Sequence, residues 1–223
     1  PKLKVNFSLG DTKFLAWPLA PRAAEMKPSL EKWFEHISKN GRLQKYVNKY
    51  YAHVENFDYY DIKVFRQRKE SVLPKYWEHI QSVAAKYNFP ANLIAAMSYQ
   101  ESHWDPKSRS RTGVRGFMML TLPTAKAMGV KNRLDAYQSL EGGAKYLRKL
   151  YKRLPQFIPS EDRLWMALAS YNVGYGHLQD SRRLAIDAKL NPNIWVHVKK
   201  TLPLLALPEH YRKTRYGYAR GYE

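Results

Sequence analysis

The stretch Leu93-Ile94-Ala95-Ala96-Met97-Ser98-Tyr99-Gln100-Glu101-Ser102-His103-Trp104 constrains this chain more than any other. Ile94, Met97 and Glu101 recur at spacings of three and four, which lines them up along one side of a helix. Pro90, with no N–H to leave unpaired, suits the first turn of that helix. Glu101 therefore stands in line with an apolar stripe. A carboxyl group held against apolar side chains is harder to ionise and can stay a proton donor near neutral pH. Spacing alone fits the plainer reading better, in which a Glu ending an apolar helix is solvated.

More of the chain bears on that choice. Glu101-Ser102 is followed by Ser110-Arg111-Thr112-Gly113, then Gly116-Phe117-Met118-Met119, then Ala169-Ser170-Tyr171-Asn172-Val173-Gly174. In order and spacing these four motifs resemble the lytic transglycosylases with a goose-lysozyme-like fold, and the likeness runs from about Leu73 to the end. In one branch of that family a Met-Met pair replaces the Gln found after Gly-Leu-Met in most relatives. A Tyr-Gly-Tyr-Ala-Arg-Gly run like Tyr216 to Gly221 also lies near the C-terminal end of that branch.

The resemblance implies a mainly α protein with a lysozyme-like all-α catalytic domain over residues 71–223. It also implies that residues 1–70 are a small α/β stub, the remnant and linker of a periplasmic solute-binding-type domain. The activity implied is non-hydrolytic cleavage of the β-1,4 bond between N-acetylmuramic acid and N-acetylglucosamine, leaving 1,6-anhydromuramic ends. Glycosidases generally use two carboxylates, whereas no second acid lies in any of the matched motifs, and Asp105 beside Pro106 suits a capping role in a loop. One carboxylate suffices for transglycosylation: Glu101 protonates the leaving oxygen, then takes the proton of the sugar's own 6-hydroxyl.

By the same resemblance Ser110 and Thr112 would bond the sugar near the cleavage point. Met118 and Met119 would form the cleft floor, with backbone groups bonding and thioethers as a soft wall. Tyr171 and Asn172 would close the site. Relatives place a further Tyr shortly beyond the Tyr216–Gly221 run, and the sequence ends at Glu223 before that position. The implied partners are peptidoglycan glycan strands and their stem peptides. The implied location is the periplasm, at the inner face of the outer membrane, with an export signal and lipid anchor upstream; the start on Pro1 reads as a fragment or processed form.

Composition narrows the rivals. The 223 residues can bury a substantial core, and the apolar fraction of 44% excludes a disordered chain. The formal charge of +19 is spread through the sequence, with 16 basic and 9 acidic residues up to Asn88 and 22 and 10 after it. Such a field attracts nucleic acid, anionic membrane or acidic wall polymer alike, but no basic-aromatic motif of a nucleic-acid module is present, so nucleic acid is not expected as a partner. Without cysteine there is no disulfide, thiolate metal site or thiol nucleophile. The seven His show no metal-ligand spacing, and Gly174-Tyr175-Gly176 lacks the third Gly of a dinucleotide loop, so neither metal nor cofactor is expected. No apolar run approaches the ~18 residues that span a bilayer. A muramidase that uses water and a non-catalytic wall-binding module remain as alternatives.

Periodicity supplies the elements. Leu3, Val5, Phe7 and Leu9 alternate and Phe14–Trp17 follow, as in two short strands. Helices are expected from Ser29 to Asn40, from Arg42 to about Tyr51, and from Pro74 to Asn88, with Asp58–Ser71 as a polar connection. Further helices are expected over Thr121–Met128, from Ser139 as a cap, from Ser160 as a cap, over His177–Lys189 and over Asn193–Leu202.

Overall fold

Apolar residues at helical spacing, punctuated by residues that accept a left-handed backbone, produce a chain of helices. The computed structural model describes residues 21–40, 42, 59–110 and 113–220. Its contacts divide the chain into two units, Pro1–Ile62 and Lys63–Glu223.

In the first unit a 3-10 turn, Pro21–Met26, leads into α1, Lys27–Lys39, which ends at Asn40. The helix begins two residues before Ser29, with Pro28 in its first turn, so Ser29 is helical and caps nothing. The two expected strands and the helix expected after Arg42 fall outside the described residues. Every regular element that is described is helical.

Helix α2, Tyr59–Ser71, occupies the segment expected to be a polar connection. Its charged sequence has almost no apolar stripe. What holds its second half in the larger unit is Phe65, edge-on to Tyr99 with ring centroids 5.0 Å apart.

Pro74 opens α3, Pro74–Tyr87, which buries Ile80, Val83 and Ala84 and stops at Asn88 in the left-handed conformation. Asn tolerates that conformation better than most residues. Pro90 immediately precedes α4, Ala91–Ser102, and its carbonyl accepts the first helical N–H groups. Ile94, Ala95, Met97, Ser98 and Ser102 are all buried, so α4 is embedded between its neighbours.

Thr121 caps α5, Leu122–Met128, by accepting from Thr124 N, and Gly129 ends it at φ +84°. Helix α6, Ala136–Arg153, starts earlier than expected. Asp135 caps it through Gln138 N, and Ser139 lies buried in the first turn. A carboxylate accepting at a helix N-terminus also meets the positive end of the helix dipole, which favours Asp there.

Helix α7, Ser160–Val173, takes Ser160 as its first residue, with Pro159 before it and no side-chain cap. After Gly174 comes α8, Tyr175–Asp187, then α9, Trp195–Thr201, a 3-10 turn, Leu202–Ala206, and α10, Pro208–Tyr211. The core joins α3 and α4 to α6 and α7, with α8 and α9 packed beyond α7.

Candidate active site

Helix α4 delivers Glu101 to the site from its last turn, and the backbone beyond is unusual. His103 and Trp104 both have positive φ, 52° and 60°, which costs of order 1 kcal/mol or more per non-Gly residue. Burial of Trp104 holds the turn, and its indole Nε1 donates to Ala95 O at 3.0 Å and Ser98 Oγ at 3.1 Å. Arg68 of α2 donates to His103 O at 2.7 Å, which satisfies a carbonyl left over where the helix ends.

Glu101 itself is half-buried and has neither a hydrogen-bond donor nor an ion-pair partner among the described residues. Burial alone pushes its carboxyl up from 4.5 to about 7. At neutral pH it therefore exists in both forms, able to give a proton and to take one. Asp105, one turn on, accepts from Lys107 N at 2.9 Å and so caps its own turn.

Across from α4 runs a tight turn, residues 113–120. Ser102 Oγ donates to Phe117 O at 2.9 Å, tying the turn to the residue beside the acid. Arg133 donates through Nη1 to Gly113 O and Leu120 O, both at 2.9 Å. Gly116, at φ +88°, passes so close to Arg133 that a Cβ would lie 1.7 Å from its carbonyl oxygen. Only Gly fits there.

The two methionines part company in this turn. Met118 is fully buried, its side chain packed against Gly143 of α6, while its N–H donates to Ser139 Oγ at 3.1 Å and its carbonyl accepts from Tyr171 OH at 2.8 Å. Its thioether is core, and the expected soft wall can come only from Met119, which is partly exposed at φ +43°.

Tyr171 reaches this point from the last turn of α7. Its ionisation is pushed far up by burial first, then by the nearness of Glu101 and of Tyr146, so it remains a neutral phenol. The Tyr146 ring from α6 lies 5.4 Å from that of Tyr171. Glu101, the Met118 carbonyl and Tyr171 are thus gathered from three separate segments. Asn172 is exposed on the same helical turn as Tyr171. Ser110 lies in the flanking loop, where its Oγ accepts from Val114 N at 3.3 Å. Thr112 is outside the described residues.

Ser102, Arg133, Ser139 and Tyr146 were missed by sequence reasoning. Ser102 stands in the Glu101-Ser102 motif and Ser139 was read only as a cap, while the spacing of seven between Ser139 and Tyr146 puts both on one side of α6. No group of three His, Asp or Glu side chains among the described residues is placed to hold a metal ion.

The helix that carries this acid and the turn beside it lie within a segment that matches a known family. Residues 78–193, just over half of the chain, match the Transglycosylase SLT domain, and the chain belongs to that family. Among individual proteins it is similar to membrane-bound lytic murein transglycosylase F of Shewanella woodyi, 49% identical over 224 residues, which cover the whole of this chain and 46% of the relative. The protein of the same name from Shewanella oneidensis is 48% identical with the same coverage. Membrane-bound lytic murein transglycosylase F 2 of Alkalilimnicola ehrlichii is 45% identical over 223 residues, covering all of this chain and 50% of the relative. The chain spans about half the length of the curated relatives it matches.

Proposed function

We propose that residues 71–223 act as a peptidoglycan lytic transglycosylase domain, with residues 1–70 the remnant of a solute-binding-type domain. The observation that carries this reading is Glu101, a lone acid whose carboxyl is raised to about 7 by burial. A group so poised serves as acid and base in turn.

In the first step Glu101 gives its proton to the oxygen that links N-acetylmuramic acid to N-acetylglucosamine. The resulting carboxylate then removes the proton of the muramic 6-hydroxyl as that oxygen attacks C1, which closes the 1,6-anhydro ring without water. Because the nucleophile belongs to the substrate, the site's task is to hold the sugar and exclude bulk solvent.

Ser110, Thr112, Met119, Tyr171 and Asn172 do the holding. Met118 acts through its backbone, whose carbonyl fixes the Tyr171 hydroxyl. On the same reading the complete protein works in the periplasm, at the inner face of the outer membrane, held by a lipid anchor, a location supported by the membrane-bound relatives.

The test is digestion of purified peptidoglycan by the chain and by Glu101→Gln, with soluble products weighed by mass spectrometry. Products one water lighter than reducing muropeptides, absent with Glu101→Gln, are expected. Reducing ends would make the protein a muramidase, and bound but uncut murein would make it a wall-binding module.

A further inference from the structure

A second cluster of polar groups lies beyond the catalytic helix. The segment after α10 returns along α8, where the buried Asp180 accepts from Arg215 N at 3.2 Å and Tyr216 N at 2.7 Å. The Tyr216 ring presses on Gly176, where a Cβ would come within 2.5 Å of it. Tyr216, Gln179, Arg182, Arg183 and Arg215 then border a cavity of about 300 Å³ that no acidic side chain lines.

Two groups in this cavity lack something. Arg182 donates from Nε to Pro192 O at 3.0 Å, from Nη1 to Gln179 Oε1 at 2.9 Å and from Nη2 to Asn193 Oδ1 at 2.7 Å. All three acceptors are neutral. The guanidinium is partly withdrawn from water, enough for burial to lower its pKa, and no carboxylate lies within ion-pair distance among the described residues. A cation partly withdrawn from water without a counter-charge is disfavoured, and two of its five N–H groups have no acceptor among the described residues. Gln179 adds an orphan donor: its Oε1 is held by Arg182, and its Nε2 is buried with no partner. A carboxylate would supply the counter-charge and the acceptor oxygens that Arg182 lacks.

We propose that this cavity is a carboxylate-binding subsite and that, resting on the transglycosylase reading, it takes an acidic peptide branch of the glycan substrate. The planar fork of a guanidinium matches a carboxylate's two oxygens. Placement supports a branch over the sugar being cut. Helix α8 starts just after Tyr171-Asn172-Val173-Gly174, and Arg182 lies seven residues further along it than Tyr175, about 10 Å at 1.5 Å per residue. The cavity therefore lies further along the helix that begins at this motif, and neither Glu101, Met118 nor Tyr171 lines it.

Two experiments on the full chain separate this subsite from the reaction. In the first, KM is measured on intact glycan strands and on strands stripped of their peptides, for the wild type and for Arg183→Glu/Arg215→Glu. Arg182 is left in place because it also ties down Pro192 and Asn193. The wild type is expected to favour peptide-bearing strands by about tenfold, the worth of one charge-assisted hydrogen bond, and the double variant to lose that preference. A wild type without preference, or a preference that survives the substitutions, overturns the proposal.

In the second, the chain is titrated with an acidic tetrapeptide and with its fully amidated counterpart, and the Gln179 side-chain amide is followed by NMR. A shift with the acid and none with the amide supports the subsite even if no strand is ever cut, which would sink the transglycosylase reading alone. No shift with either peptide removes the subsite whatever the turnover.

Discussion

At the scale of the residue, the property that matters is the desolvation of one carboxyl. Glu101 faces no cation and no donor among the described residues, so its ionisation is governed by burial and lies at about 7. Activity that begins with proton donation should fall as pH rises above that value. Glu101→Gln should lower turnover by about two to four orders of magnitude, the usual contribution of a positioned acid–base, without altering the far-UV spectrum. Stability carries the same signature. Between 4.5 and about 7 the folded state keeps a proton that the unfolded state has released, so stability falls as pH rises through that window and stays lower above it. Solvent at the exposed edge of Glu101 keeps the loss below about 3 kcal/mol. Urea unfolding at pH 5 and pH 8 should show this slope in the wild type, and Glu101→Gln should abolish it and be the more stable protein at pH 8. Equal slopes in the two proteins would mean that the carboxyl is not desolvated.

At the scale of the element, the site depends on how closely one turn approaches two helices. Gly116→Ala would drive a methyl group into the Arg133 carbonyl and ask a non-Gly residue to hold φ +88°. The expected loss is at least about 3 kcal/mol, read as a fall in the unfolding midpoint, together with lost turnover because Phe117 O and Met118 O shift away from α4 and α7. Unchanged stability would show that residues 113–120 are not clamped as described. Elements of this kind were only partly legible in the sequence. The stops at Asn88, Gly129 and Gly174 could be read because a break at positive φ favours Asn and Gly, and α4 because its apolar positions are dense. Helix α2 could not be read, since its charged sequence carries little stripe and Phe65 finds Tyr99 and Trp104 only in the folded unit. Ser139 was read as the cap because its type suits one, and the deciding fact, that Ser139 turns inward to Met118 N, is a contact across 21 residues. Met118 and Met119 are chemically identical, so nothing local shows that one is core and the other partly exposed.

At the scale of the whole molecule, the charge of +19 is not spent evenly. Lys86, Lys145, Arg148, Lys149 and Lys152 border a groove of about 490 Å³ between the end of α3 and the outward face of α6, with Tyr87 and Asn88 completing it. Among the described residues the one acid tied into this group is Glu141, which accepts from Lys86 and Tyr87. Arg148 is further fixed over the Tyr151 ring at 5.2 Å, while Lys149 and Lys152 are exposed. The groove lies at Asn88, just before α4, whereas Glu101 is near the other end of that helix, roughly 15 Å away at 1.5 Å per residue. Charge at that distance is screened from the reacting bond at physiological salt, where the Debye length is about 8 Å, yet it still steers encounters with an anionic surface. The groove should therefore govern how the protein reaches an acidic wall polymer and leave the bond-breaking step alone. Lys149→Glu/Lys152→Glu is expected to weaken sedimentation with isolated murein sacculi at low salt and to flatten its dependence on sodium chloride, with kcat on soluble strands unchanged. Binding that ignores both salt and the substitutions would assign attachment to the uncharged contacts of the cleft instead.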